Sequence, residues 1–269
     1  MSEALIESGL VLLDLDPDGV ARLRLNRAEA ANGMNVEFLR ALHEAIMRCH
    51  REPRVRVVVL SGAGKHFCAG GDVKTFAAQG SELPDYLREA TAWLQLATAA
   101  LIQLPAPVIA QVHGFAAGGG GLGLVCASDI VVAAESARFF SGAVRVGMAP
   151  DAGSTVTLPQ LVGLRKAMYI LLTNPTLTAR EALDLGIVTE VVPDEQLGPR
   201  ASQLASALAE SAPLALAATK RLVWGGVGAT VAERLPEEAR TVAELSGTED
   251  SREGLAAVLE HRQPKFSGR

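Results

Sequence analysis

The chain is predicted to be an α/β protein with a mostly parallel sheet and a helical C-terminal region. Two observations carry this. Up to about Pro150, short apolar runs bounded by glycine or polar residues alternate with longer segments of helical period. Beyond Pro150 nearly every segment has helical period, with one late strand-like piece, "IVTEVV".

The elements follow in order. Residues 11–15 and 20–25 alternate apolar and polar, and "DPDG" between them is a strong turn signal, so they form a hairpin. "NVEFLRALHEAIMRCHRE" places Phe38, Leu42, Ile46 and Cys49 on one helical face, with Asn35 as its N-cap. "VRVVVLSG" is a continuous apolar run, as a strand buried on both faces requires. "LPDYLREATAWLQLATAALIQL" is a long helix, and "APVIAQVHG" and "SDIVVAA" are further strands. "LPQLVGLRKAMYILLT", "TAREALDLG", "EQLGPRASQLASALAESAP", "LALAATKRLVW", "VAERLPEEARTVAEL" and "SREGLAAVLEHR" all read as helical. The division falls between a 1–198 α/β core and a 199–269 helical region. The helix from Leu214 to Trp224 is apolar on more than one face, so it should pack against something, another subunit included.

Composition excludes several classes. The 269 residues are 49% hydrophobic and carry a net charge of −5, with no Lys/Arg block to favour nucleic acid or an anionic membrane. Aromatic residues make up only 4%, too few for base-stacking platforms. The three cysteines, Cys49, Cys68 and Cys126, have unrelated spacings and read as reduced, packed thiols with no metal site. "MSEALIESG" has no signal-peptide pattern and no apolar run is long enough to span a bilayer, so a cytoplasmic location is expected.

The chemistry points to two glycine clusters, each after a strand. "CAGGD" follows "VRVVVLSG", and "HGFAAGGGGLGL" follows "APVIAQV". Glycine there lets backbone approach a ligand and leaves N–H groups free to point at it. Gly118 to Gly121 would sit at a helix N-terminus, where unpaired N–H groups gather. Three readings stand. Gly118, Gly120 and Gly123 satisfy G-x-G-x-x-G, with Glu135 as the acid after the next strand, which would make a nicotinamide-dependent oxidoreductase. Close helix–strand packing without a ligand is the second. In the third, one N–H from each cluster converges on one oxygen as an oxyanion hole.

The segments "LNRAEAANGMN", "GKHFCAGGDVK", "PVIAQVHGFAAGGG", "SDIVVAAESARF", "RVGMAPDAGS" and "LTAREALDLGIVTEVV", in that order, resemble the crotonase, or enoyl-CoA hydratase/isomerase, superfamily. The resemblance runs from about Val11 to Arg269 and implies an acyl-CoA enzyme. Its fold would be a spiral of ββα turns with a helical C-terminal trimerisation region. It implies a homotrimer or homohexamer, and no cofactor beyond the coenzyme A of the substrate. The thioester oxygen would lie between the amides of Ala69 and of Gly119, with Gly120 as the alternative because this chain carries an extra glycine. Gly70, Gly71, Asp72, Arg27 and Lys74 would line the CoA side. Asp72 would brace its loop and the two basic residues would meet phosphates.

The hydratases of that family use two glutamates. One position falls here on Leu122 or Gly123 and the other on Ala143, so both acids are absent. Asp151 remains. It resembles the single carboxylate of Δ3,Δ2-enoyl-CoA isomerases, including those acting on ring-derived CoA esters in phenylacetate breakdown. One base suffices to move a proton from C2 to C4, and burial would raise its pKa. Asp151 also reads as the N-cap of the helix in "AGSTVTLPQL". His66 and His113 read as hydrogen-bonded structural residues and Cys68 as packed. Substrate shape is expected from the segment from Phe76 to Leu96. Val258 and His261 stand where relatives carry an aromatic and a lysine toward a neighbour's CoA. Hydration with Asp151 and another acid, and a catalytically silent acyl-CoA-binding protein, are the remaining alternatives.

Overall fold

The computed structural model describes residues 2–269. A strand, β1 (Glu3–Ile6), precedes the expected hairpin of β2 (Val11–Leu15) and β3 (Val20–Leu25). Helix α1 (Val36–Arg51) follows, and Asn35 caps it by accepting the Phe38 N–H at 2.9 Å. Then come β4 (Val57–Gly62), α2 (Val73–Ala78) and α3 (Leu83–Gln103). Next are β5 (Val108–Val112), β6 (Phe115–Ala117), a π-helical turn over Gly119–Gly123, and α4 (Leu124–Cys126). The strands β7 (Ile130–Ala134) and β8 (Arg138–Phe140) complete the glycine-bearing half.

The segment 158–173, expected to be continuously helical, is two helices, α5 (Ser154–Val162) and α6 (Leu164–Thr173). Gly163 breaks it at φ +78°, a value a helix cannot contain. The chain ends with β9 (Leu177–Thr178), α7 (Ala179–Asp184), β10 (Glu190–Val192), α8 (Leu197–Ala209), α9 (Pro213–Gly225), α10 (Val231–Ser246) and α11 (Glu249–Leu259).

The main sheet runs β1-β2-β3-β4-β5-β7-β10, parallel from β3 onward. A second sheet, β6-β8-β9, is not legible in the sequence, because strands of two or three residues carry no period to read. Both faces of the parallel strands are covered. Val58 and Leu60 face the core shared with α1 and α3, while Val57 and Val59 pack with Leu197, Ala205 and Ala209 of α8. The division expected at 198/199 therefore runs through a helix that covers the sheet. The helical appendage is α9 to α11.

Helix α9 leaves most of its apolar surface uncovered within one chain. Its one buried side chain is Lys220, and Val223 is 68% exposed. Polar pins hold it. Lys220 Nζ lies 2.8 Å from Asp129 Oδ2 and donates to the Leu101 and Ala106 carbonyls at 3.1 Å. Asp129 also accepts the Trp224 indole N–H at 2.8 Å and the Val108 N–H at 2.7 Å. Burial pulls the Lys220 pKa down, with Asp129 opposing. Asp129→Ala should leave a buried ammonium uncompensated and lower unfolding free energy by about 3–5 kcal/mol. Urea unfolding followed by tryptophan fluorescence checks this. A loss below about 1 kcal/mol would show the pair to be dispensable.

Candidate active site

Because β4 and β5 are parallel neighbours, the loops that follow them leave the same edge of the sheet. Backbone hydrogen bonds lace those loops together. The Phe67 N–H donates to His113 O at 2.9 Å, Cys68 N–H to Phe115 O at 3.0 Å, and Ala117 N–H to Cys68 O at 2.9 Å. The two glycine clusters therefore lie against each other. A Cβ at Gly70 would stand 2.9 Å from Ala117 O, and Gly70 itself has φ +95°. Only glycine satisfies both conditions.

The loop 69–72 also runs beside residues 31–34. Ala69 N–H donates to Ala31 O at 3.0 Å, Met34 N–H to Gly70 O at 2.8 Å, and Asp72 N–H to Met34 O at 3.0 Å. This corrects the expectation for Ala69, whose amide is consumed by the short parallel ladder. In such a ladder the residue opposite Met34 keeps its own amide out of the pairing, and that residue is Gly71. Among the described residues the Gly71 N–H has no acceptor. The trans peptide sets its direction. Gly70 O points at Met34, so the N–H of the same peptide points the opposite way. The Gly71 nitrogen lies 3.8 Å from where a Gly118 Cβ would stand.

The glycines of the second cluster divide by what they face. A Cβ at Gly120 would meet Met34 Sδ at 2.6 Å, and one at Gly123 would meet Ala152 Cβ at 2.6 Å. A Cβ at Gly121 would meet the Cys68 carbonyl oxygen at 2.5 Å. These three serve close packing, so Gly120 and Gly123 of the G-x-G-x-x-G pattern are filled by protein. Gly119 differs. A Cβ there would collide with Asp151 Oδ1 and lie 2.7 Å from its Cγ and 3.1 Å from Leu94 Cδ2. As the first residue of the π-turn, Gly119 has an N–H that no intrahelical carbonyl can reach.

Asp151 stands over Gly119. It is not a helix cap, because α5 begins after Gly153 with no side-chain cap. A tight turn holds it, with Ala152 at φ +51° and Gly153 at φ +74°. A non-glycine residue in that region is strained, and such strain gathers at functional positions. Among the described residues the Asp151 carboxylate has no side-chain partner. Burial pushes its pKa above the ordinary carboxylate value of 3.8, opposed only by its own backbone N–H. Any rate that needs this carboxylate ionised should therefore fall on acidification, with a midpoint above that value. A pH–rate profile locates the limb, and its absence in Asp151→Asn assigns it.

The surrounding residues have plainer duties. Arg27 Nη1 donates to Asp72 Oδ2 and to Gly33 O, each at 2.7 Å. Asp72 caps α2 through the Thr75 N–H at 3.1 Å and takes the Thr75 hydroxyl at 2.8 Å. Burial works against the Asp72 charge, but Thr75 and Arg27 outweigh it and hold its pKa down. The pair braces the loop, and Lys74 beside it is exposed. His113 Nε2 sits 2.9 Å from Gly64 O, and His66 Nδ1 accepts the Phe115 N–H at 3.1 Å. Both histidines are structural. Cys68 is fully buried, and burial pushes its thiol up to about 12, outside nucleophilic range. Leu122 is buried, Ala143 opens a short 3₁₀ turn, and Val258 and His261 are exposed at the outer end of α11.

The 76–96 segment packs beside both glycine clusters. The Phe76 ring lies where a Gly71 Cβ would point, with Cε2 at 2.5 Å from that position. Tyr86 packs edge-on to Phe76 at 6.0 Å, its hydroxyl accepting the Val36 N–H at 3.1 Å. Leu94 stands with Asp151 beside Gly119, so apolar side chains flank both free amides.

Comparison with known proteins places the chain in a family. Residues 16–269 match the family described as "Enoyl-CoA hydratase/isomerase". A Rhodobacter capsulatus protein named "Probable enoyl-CoA hydratase" is 38% identical over 252 residues, covering 94% of this chain and 96% of that protein. The 1,2-epoxyphenylacetyl-CoA isomerase of Escherichia coli K12 is 36% identical over 253 residues, covering 93% and 96%. The crystal structure of an enoyl-CoA hydratase from Bacillus anthracis superposes with a TM-score of 0.91 at 32% identity, covering 97% of this chain and all of the other.

Proposed function

The chain belongs to the enoyl-CoA hydratase/isomerase family, and on that premise we propose that it shifts a carbon–carbon double bond of an acyl-CoA thioester from Δ3 to Δ2. The observation that carries the reading is the lone, largely buried Asp151 carboxylate over Gly119, with Leu122, Gly123 and Ala143 at the positions where a hydratase needs acids. Water addition requires a base and an acid in reach of one water. A double-bond shift requires one carboxylate used twice.

The steps balance on this chain's own groups. The thioester oxygen accepts the N–H groups of Gly71 and Gly119. Asp151 removes a C2 proton, the C2–H electron pair moves into the conjugated dienolate, and negative charge builds on that oxygen. The same carboxyl returns its proton to C4, restoring the thioester carbonyl and leaving the double bond at Δ2. Two preorganised amides stabilise the enolate, each lowering the barrier by about 3 kcal/mol. Arg27 and Asp72 hold the loop that presents Gly71, and Lys74 is free to meet CoA phosphate as a point charge. The exposed apolar residues of α6, Leu164, Met168 and Leu172, together with the underburied α9, support a homotrimer or homohexamer, which light scattering would measure.

The test is to incubate the protein with 3-enoyl- and 2-enoyl-CoA esters in D₂O and follow products by mass. Positional isomers are expected, with deuterium entering only as far as the Asp151 carboxyl exchanges its proton with solvent before returning it. Water addition at a comparable rate would replace this reading with hydration. Unchanged esters after long incubation with folded protein would leave acyl-CoA binding alone.

A further inference from the structure

We propose that Asn32 is a positioning residue whose buried carboxamide sets the direction of the Gly71 amide. This rests on the reading of Gly71 as an oxyanion donor. The Asn32 side chain is fully buried and its backbone sits at φ +54°, a conformation asparagine tolerates better than most. Its Nδ2 donates to the carbonyls of Ala63, His66 and Phe67 at 2.9, 2.8 and 3.0 Å. Its Oδ1 accepts the Arg27 N–H at 2.9 Å. One carboxamide thus gathers the end of the β4 loop onto the 27–34 segment.

The connection to Gly71 is short. The Asn32 carbonyl accepts the Cys68 thiol at 3.1 Å, and the Cys68 sulfur accepts the Gly70 N–H at 3.4 Å. Two residues after Asn32, Met34 clamps the Gly70 carbonyl, which orients the Gly70–Gly71 peptide. Both clamps depend on the 31–34 strip staying in register with 67–72. Three carbonyls left without this donor, that of Phe67 buried and those of Ala63 and His66 partly so, would force the loop to move toward other partners. A tilt of one peptide plane leaves the CoA pocket in place but aims the donor away from the thioester oxygen, so turnover should suffer far more than binding.

The probe is bound cinnamoyl-CoA, whose absorption moves to longer wavelength when its thioester carbonyl is polarised. Asn32→Gly keeps the positive φ available and deletes only the carboxamide. Asn32→Asp keeps the acceptor for Arg27 and deletes the donors. Both should bind cinnamoyl-CoA within about threefold of the parent, lose most of the red shift, and lose about 10- to 100-fold in kcat. Cys68→Ala cuts the thiol link and leaves the carboxamide in place. It should move the shift and kcat the same way by less, and it decides the matter should the Asn32 variants not fold. Asp129→Ala, which weakens the fold at the far end of β5 and β7, should leave the red shift intact. A full red shift with parental kcat in folded variants would overturn the role of Asn32 alone. No red shift in the parent protein would overturn the oxyanion reading and this inference with it.

Discussion

Asp151→Asn is expected to lower the rate of double-bond shift by about 10²- to 10⁴-fold, with KM within about threefold of the parent. The carboxamide keeps the shape over Gly119 but cannot take a proton from C2. The same substitution should make the protein more stable at neutral pH. Burial raises the Asp151 pKa, so the native state holds this proton more tightly than the unfolded chain does. The group's contribution is therefore most favourable below the unfolded value and is lost as pH rises through the raised native one. Above that, the ionised carboxylate strains the fold. Thermal unfolding of the variant should lie above that of the parent at pH 7, and the difference should shrink toward the ordinary carboxylate value. A variant both slower and less stable would mean that Asp151 holds the turn rather than the proton. Isomerisation that survives the substitution would remove the proposed base.

Gly119→Ala should lower kcat by about 10²- to 10³-fold. Its new methyl collides with Asp151 Oδ1 and approaches Leu94 Cδ2 to 3.1 Å, so the base and the second donor cannot both keep their places. Gly119 does not have a positive φ, and the helical conformation of this turn accepts alanine. The loss therefore reports crowding in the site rather than backbone strain. Gly198→Ala on α8 is the control, because a Cβ there meets nothing within 4 Å. It should leave activity unchanged and add a few tenths of a kcal/mol of stability. A Gly119→Ala enzyme with parental kcat would place the reacting thioester elsewhere.

Much of this protein was legible in its residue pattern. The hairpin, Asn35 as a cap, the apolar run of β4 and the long α3 each rest on local rules, where a few adjacent residues decide the outcome. The pairing of the two glycine clusters followed from chemistry, since both lay after strands of one parallel sheet. Gly119 and Asp151 were named on the same grounds together with the family resemblance.

What tertiary structure decided was which peptide groups remain free. Ala69 and Gly71 are two residues apart in a loop of small residues, and nothing local distinguishes their amides. The distinction arises because 31–34, more than thirty residues earlier, lies alongside and takes Ala69, Gly70 O and Asp72 while passing over Gly71. The same holds for Asp151, whose cap-like context in the chain gave way once Ala152 and Gly153 turned left-handed and aimed its carboxylate at Gly119. The apolar faces of helix α9 are legible in its sequence, but that one lysine reaching Asp129 anchors it to the core was decided by the tertiary structure. A residue type and its period set which surfaces can be buried. Which partner takes a given peptide group depends on where distant chain segments come to rest.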